Sequence, residues 1–314
     1  MVNLRRIIHR LRERYGYYMK SFEKKDSGVI TANDLKSVHV KIVYWIMFGI
    51  LAVISLVCLL PPLWVFVSSF KDIKEFVSNP PTIIPRSFQP EKLGAVWEKL
   101  NFMKYYLNTF ILAAGDLIFC VVANGLMGYV LSRLKPKGTS MIMTLILWTM
   151  MLPTSLSTVP LFMTFIDFPI IHVNLIDTYL PMWLMAGANA FYIMLFKSFF
   201  DAIPISYIEA ARLDGCSNLG IFGRIILPLS KPLLMVISIF SFNASWENFF
   251  WPYLVLKDTN MQTVAVEIYK LKVGGIAFDE FMIVLLFSIA PPVIIFIFLQ
   301  KYIMTGFTLG GIKG

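Results

Sequence analysis

Tyr207 to Pro232 reads "YIEAARLDGCSNLGIFGRIILPLSKP", a polar island between long apolar runs. Ser206 followed by Glu209 fits an S-x-x-E capping box, in which the Ser hydroxyl accepts from the third helical N–H and the Glu carboxylate reaches back. Pro204 alternatively suits the first helical position. Gly215 suits the left-handed residue that closes a helix. The spacing predicts a helix of about two turns, too short to be stable alone in water. It must therefore pack on something. Ile208, Ala211 and Leu213 offer one surface, and Ala210 and Ala211 are small enough to admit another backbone. Beyond Gly215, Leu219, Phe222, Ile225 and Ile226 form a second apolar face, and Pro228 and Pro232 end that element and begin the next. A loop helix folded onto its own domain has the same pattern.

The surroundings of this island are those of a membrane protein. Of 314 residues, 57% are hydrophobic and only 15% charged, and the mean hydropathy is +0.70. Crossing the hydrocarbon core takes about 20 mostly apolar residues as a helix. Six segments qualify: 42–67, 108–131, 141–165, 179–197, 230–252 and 280–300. The fourth is the weakest, holding Pro181, Gly187 and Asn189. The first is not read as a signal peptide, because polar residues precede it and no small-residue cleavage pattern follows. The expected class is an all-α integral membrane protein of six spans. Cys58 and Cys120 lie in apolar runs and Cys216 in the island, so the three cysteines make no disulfide framework.

Charge sets the orientation. The arm 1–41, the 133–137 loop, the 197–231 loop and the 301–314 tail together hold 19 of the 28 Lys and Arg. The positive-inside rule places them, and both termini, in the cytoplasm. The quoted island is then cytoplasmic too. A pI of about 9.4 thus reflects basic cytoplasmic loops, and no nucleic-acid partner is expected. In the arm, Leu4, Ile7, Ile8, Leu11, Tyr15 and Tyr18 recur at helical spacing among arginines. An interfacial helix on anionic lipid and a signal that only fixes topology both fit. Outside, residues 71–107 carry Pro80, Pro81, Pro85 and Pro90, which favour extended backbone. Residues 253–279 form the other large loop. Both are candidates for docking an external partner, or for packing over the helix ends.

"EAARLDG", then nine residues, then "IILP" resembles the EAA loop of permease subunits of binding-protein-dependent ABC importers. "SSFKDIKEF", "PPTIIP", "YYLNTFILA", "GYVLSRLKPKG", "LPTSLSTVPLF", "WENFFWPYLVL" and the terminal "GFTLGGIKG" extend the likeness over nearly all the chain after residue 41. They resemble the carbohydrate branch, in its maltose-type second permease. Cys216 departs from the small residue usual in the family, but is itself small. The resemblance implies a type I importer permease fold whose EAA loop (about 201–228) is a coupling helix docked in a groove of a cytoplasmic ABC ATPase dimer. Glu209, Ala210, Ala211, Asp214, Gly215 and Pro228 are the residues it assigns to docking, and the "GGIKG" end is a further candidate contact. It also implies a second permease subunit of a different chain and an extracellular or periplasmic sugar-binding protein.

No G-x-x-x-x-G-K-[ST] phosphate loop occurs, so ATP is expected on the partner ATPase and no cofactor on this chain. His9, His39 and His172 are scattered, without metal-ligand spacing. Polar residues inside spans usually face a cavity or a partner helix. Asp116 in the second span qualifies, as do Asn243, Trp246, Glu247 and Asn248 in the fifth. Polar groups beside an aromatic face suit a carbohydrate path. Helix-to-helix hydrogen bonds and an interfacial aromatic belt explain the same residues. A channel or secondary transporter would need charge relays or an internal repeat, and an intramembrane enzyme a paired catalytic constellation. Neither accounts for the island. The expectation is a transporter subunit without catalytic residues.

Overall fold

A computed structural model describes residues 38–78, 82–169 and 171–310. The arm up to residue 37, Pro80, Pro81 and the final four residues of "GGIKG" lie outside the described residues. Among the described residues the chain is helical, with one isolated antiparallel bridge between Phe168 and Val173. It divides into two units, Met1–Pro61 and Pro62–Gly314.

Three helices are long and apolar enough to cross a membrane. The first, α1 (Val38–Ser68), is apolar on every face and uncharged beyond Lys41, as lipid solvation requires. Two short helices follow, α2 (Ile73–Phe76) and α3 (Glu91–Lys99). The helical turns at 91–99 correct the expectation of extended backbone through 71–107. Glu91 sits in the first turn and Lys99 in the last, where each complements the helix dipole. The second long helix, α4 (Phe102–Leu134), spans 33 residues, about 50 Å at 1.5 Å per residue. It widens into π turns at Cys120–Asn124 and Val130–Leu134.

Three further apolar stretches are broken rather than straight. α5 (Thr139–Met151) and α6 (Thr154–Ile166) meet at 104°, because Leu152 precedes Pro153 and takes the extended conformation this demands. The 141–165 segment is therefore not one straight span. α7 (Leu180–Gly187) and α8 (Ala190–Ala202) meet at 43°. There Asn189 caps α8, accepting from the N–H groups of Phe191 and Tyr192. α9 (Ser206–Leu213) leads to α10 (Asn218–Leu229), which meets α11 (Lys231–Glu247) at 81°. The 230–252 segment also divides, since Asn248 is extended and a separate helix, α12 (Phe250–Val255), begins after it. α13 (Val264–Val273) and the third long helix, α14 (Phe278–Gly310), complete the chain. Pro291 and Pro292 lie inside α14, which membrane helices tolerate when the freed carbonyls find other partners.

In the second unit, α4 is the central element. Its start joins Trp246, Val264 and Ile283 in one core cluster, Leu112 joins Phe165 and Val255 in a second, and Tyr129 near its end joins a third with α8, α9 and α10. Small residues let neighbours approach it closely. A Cβ at Gly115 would sit 2.0 Å from the Trp183 ring, and one at Gly128 would sit 2.7 Å from Phe196 Cβ.

Candidate functional site

The site is α9 and the turns that hold it. α8 ends at Ala202, and Ile203 turns extended (φ −71°, ψ 129°) ahead of Pro204. α9 then starts on the backbone of Ile205, with no side-chain cap. The expected capping box does not form. Ser206 is already inside the helix, and the Glu209 N–H bonds the Ile205 carbonyl at 3.0 Å. Pro204 lies before the cap and not at the first helical position. Its carbonyl accepts from Tyr207 N–H, so the entry is a tight turn. Ser217 is the side-chain cap of this region: it opens α10 by accepting from Gly220 N–H.

The end of α9 fits the sequence reading. Gly215 has φ +76°. Its N–H reaches the Arg212 carbonyl at 3.0 Å, and Cys216 N–H reaches the Ala211 carbonyl at 3.0 Å. This pair of bonds is the Schellman motif. The motif turns the chain sharply into α10, whose last turns run through a π turn at Phe222–Ile226 into Leu227 and Pro228.

One face of α9 is locked inward. Ile208 is 1% exposed and Ala211 4%, packed with Tyr129, Phe196, Phe200, Ile221, Phe222 and Ile226. Burying one such Ile contributes about 1.5–3 kcal/mol, which supplies the stability that eight helical residues lack alone. Leu213 and Leu219 were expected on the packed faces, but they are 89% and 71% exposed. The reason is angular: position 213 lies five residues, about 140°, from 208 on a 3.6-residue helix. Ile205, Ser206, Glu209, Ala210, Arg212, Asp214, Gly215 and Pro228 are exposed as well. The outward surface is thus a mix of charge and unpartnered leucine, a signal a strict periodicity count could have found.

The residues read as a path are less unified. Ser245 Oγ of α11 lies 2.5 Å from Asp116 Oδ2 of α4 and 2.9 Å from the Ser241 carbonyl. Asp116 is buried, and its Oδ1 has no protein partner. Trp246 is 3% exposed. It donates its indole N–H to the Ser288 carbonyl at 3.0 Å and stacks on Phe242, so it packs α11 against α14 and offers no free face. Asn243 is half-buried, and Glu247 is exposed at the last residue of α11. Asn248 Oδ1 accepts from Trp251 N–H at 3.4 Å, at the start of α12. Asn124 has a role the sequence did not reveal. Its Nδ2 donates to the Ala186 carbonyl at 2.8 Å and its Oδ1 accepts from Asn189 N–H at 3.0 Å, which satisfies the backbone freed by the α7–α8 break.

The 71–107 and 253–279 loops are braced. The Glu75 carboxylate accepts from Arg86 N–H and Thr82 Oγ1, each at 2.9 Å, and from Ser87. Chiefly through the Arg86 N–H, its pKa falls to about 2. Lys92 pairs with Asp279 at 2.9 Å. The 253–279 loop is tied to α4 through Asn108, which donates to the carbonyls of Asn260 and Gln262, and through Thr109, which accepts from Val264 N–H.

Residues 124–308, which include the whole α9 site, match the family described as "Binding-protein-dependent transport system inner membrane component". The arabinooligosaccharides transport system permease protein AraQ of Bacillus subtilis (strain 168) is 32% identical over 214 residues, 68% of this chain and 74% of that protein. The polygalacturonan/rhamnogalacturonan transport system permease protein YtcP of the same organism is 28% identical over 286 residues, 86% and 97% of the two chains. A crystal structure of a bacterial ABC transporter involved in the import of the acidic polysaccharide alginate superposes with a TM-score of 0.74 at 23% identity. It covers 85% of this chain and 98% of its own, a likeness that speaks to the fold. The chain belongs to the family of inner-membrane components of binding-protein-dependent transport systems, and is a permease subunit, not an enzyme.

Proposed function

We propose that this chain is one of two membrane subunits of an ATP-driven carbohydrate importer, with six spans and both termini in the cytoplasm. α1, α4 and α14 each make one span, and each bent pair makes one more. The Lys and Arg excess on the arm and on the 133–137 and 197–231 loops supports that orientation. α9 is the handle for a partner ATPase, and it is the observation that carries the reading. Its inner face is fixed in the ends of α4, α8 and α10, while its outer face presents Leu213 beside Glu209 and Asp214. Exposed apolar side chains beside charges outside a span suit a protein interface. ATP belongs to the partner, since this sequence has no phosphate loop. One chain offers one handle, so a pair of closing ATPases calls for a second permease, here a different chain.

The relatives named for arabinooligosaccharides and for polygalacturonan/rhamnogalacturonan favour an oligosaccharide as cargo. Asp116, Asn243, Glu247 and Asn248 are the polar groups we assign to its path, which the second subunit completes. The braced 71–107 and 253–279 loops face the sugar-binding protein. Purification of the tagged chain from its own membrane in mild detergent, with mass spectrometry, tests this. Recovery of a second permease and an ABC ATPase is expected. A chain recovered alone, under conditions where other membrane complexes survive, overturns the reading in favour of a channel or secondary transporter.

A further inference from the structure

α9 is tied to the membrane helices by more than its own flanking segments. Arg133, in the last turn of α4, donates from its guanidinium to the main-chain carbonyls of Phe200 and Ile203. These belong to the C-terminal turn of α8, where the helix dipole is negative; the Phe200 carbonyl also accepts from Ile203 N–H at 3.1 Å. Beside it, Ser132 Oγ donates to Asp201 Oδ1 at 2.6 Å, while Lys197 holds Oδ2 at 2.7 Å. Five residues earlier, Gly128 presses the α4 backbone against α8, with a built Cβ 3.0 Å from the Lys197 main-chain nitrogen.

The position of the Ile203 carbonyl matters most. It belongs to the peptide bond entering Pro204, whose ring fixes φ, and Ile205 is already the cap of α9. One locked residue therefore separates the peptide that Arg133 holds from the coupling helix.

We propose that Arg133 is a positioning residue of the transport cycle, a strut that makes α4 move with the entry of α9. Displacement of α9 then reaches the 33-residue α4, and not only the segments adjoining α9 in sequence. The proposal rests on the reading of α9 as the ATPase handle. A plain C-terminal cap of α8 would use the same bonds, but it would not link motion to nucleotide state.

The test uses the whole purified complex, with Cys58, Cys120 and Cys216 replaced by serine and spin labels at exposed Lys135 and Ser206. The distance between labels is read without nucleotide and after trapping with MgATP and vanadate. In the parent chain the two distances should agree. In Arg133→Met they should agree with the parent without nucleotide but diverge on trapping, by more than the about 1–2 Å of ordinary helix shifts. Arg133→Lys, which keeps the charge but not the fork, should fall between. A parent distance that itself changes on trapping overturns the strut, whatever the variants do. So does an Arg133→Met chain that tracks the parent in both states, or one displaced equally in both, which is the signature of a simple cap. If Arg133→Met does not assemble, Ser132→Ala, which loses a single hydrogen bond to the Asp201 carboxylate, is read by the same criterion. A complex with no ATPase to trap would instead count against the handle reading itself.

Discussion

Gly215→Val tests α9 as the proposed ATPase handle at its most exacting position. A Cβ built on Gly215 meets nothing within 4 Å, yet the residue sits at φ +76°. Any penalty therefore comes from backbone strain and not from a clash. Holding a non-glycine residue in the left-handed region costs about 1–3 kcal/mol, with β-branched side chains worst placed to bear it. Relief comes by releasing the bonds from Gly215 to Arg212 and from Cys216 to Ala211, which frays α9 from its C-terminal end. Every 1.4 kcal/mol is a factor of ten, so the ratio of correctly presented to frayed α9 falls about 5- to 140-fold, and apparent affinity for the ATPase falls by up to the same factor. The assay is retention of the ATPase by the purified chain over a concentration series, alongside substrate uptake. Gly215→Asn is the control, because asparagine visits the left-handed region readily and should stay close to the parent. The spans should assemble normally in both, since the cost is local. If Gly215→Val retains the ATPase as well as Gly215→Asn does, the left-handed cap does not position the handle.

Four further substitutions probe other positions. Leu213→Asp should leave the melting temperature of the chain within about 1 °C while weakening ATPase retention at least tenfold. Ile208→Ala, on the buried face, should lower stability by about 2–5 kcal/mol, and reversal of these two effects would exchange the faces of α9. Gly115→Ala drives a methyl into the Trp183 ring and should lower stability by about 1–3 kcal/mol, read as earlier thermal unfolding in detergent. Glu75→Gln should speed hydrogen exchange in residues 82–87 at pH 7. Because the folded pKa of Glu75 is depressed to about 2 from the usual 4.5, its stabilisation is complete above about pH 4.5 and is lost as pH falls through 2. The gap between parent and variant should therefore close on acidification.

Much of this protein could be read from the order of its residues. Lipid solvation demands uninterrupted apolar stretches, so Val38–Ser68, Phe102–Leu134 and the helix from Phe278 announced themselves by composition. The end of α9 was recognisable because Gly215 is free to take positive φ. That is a property of a single residue, and it survives without knowledge of its neighbours. Properties that depend on two segments meeting could not be read this way. The capping box at Ser206 was lost to a start on Ile205, because Pro204 and the Ile203 turn set the entry angle. Leu213 faces out because the helix packs through Ile208 and Ala211, and only the location of Tyr129 and Phe222 decides which stripe is buried. Trp246 reads as a sugar platform until the Ser288 carbonyl takes its N–H. Asn124 reads as one more polar residue in a span until the broken backbone at Ala186 and Asn189 is set beside it. Local conformational preference and hydropathy are written along the chain, whereas the partner of a buried polar group is chosen by packing between residues far apart in sequence.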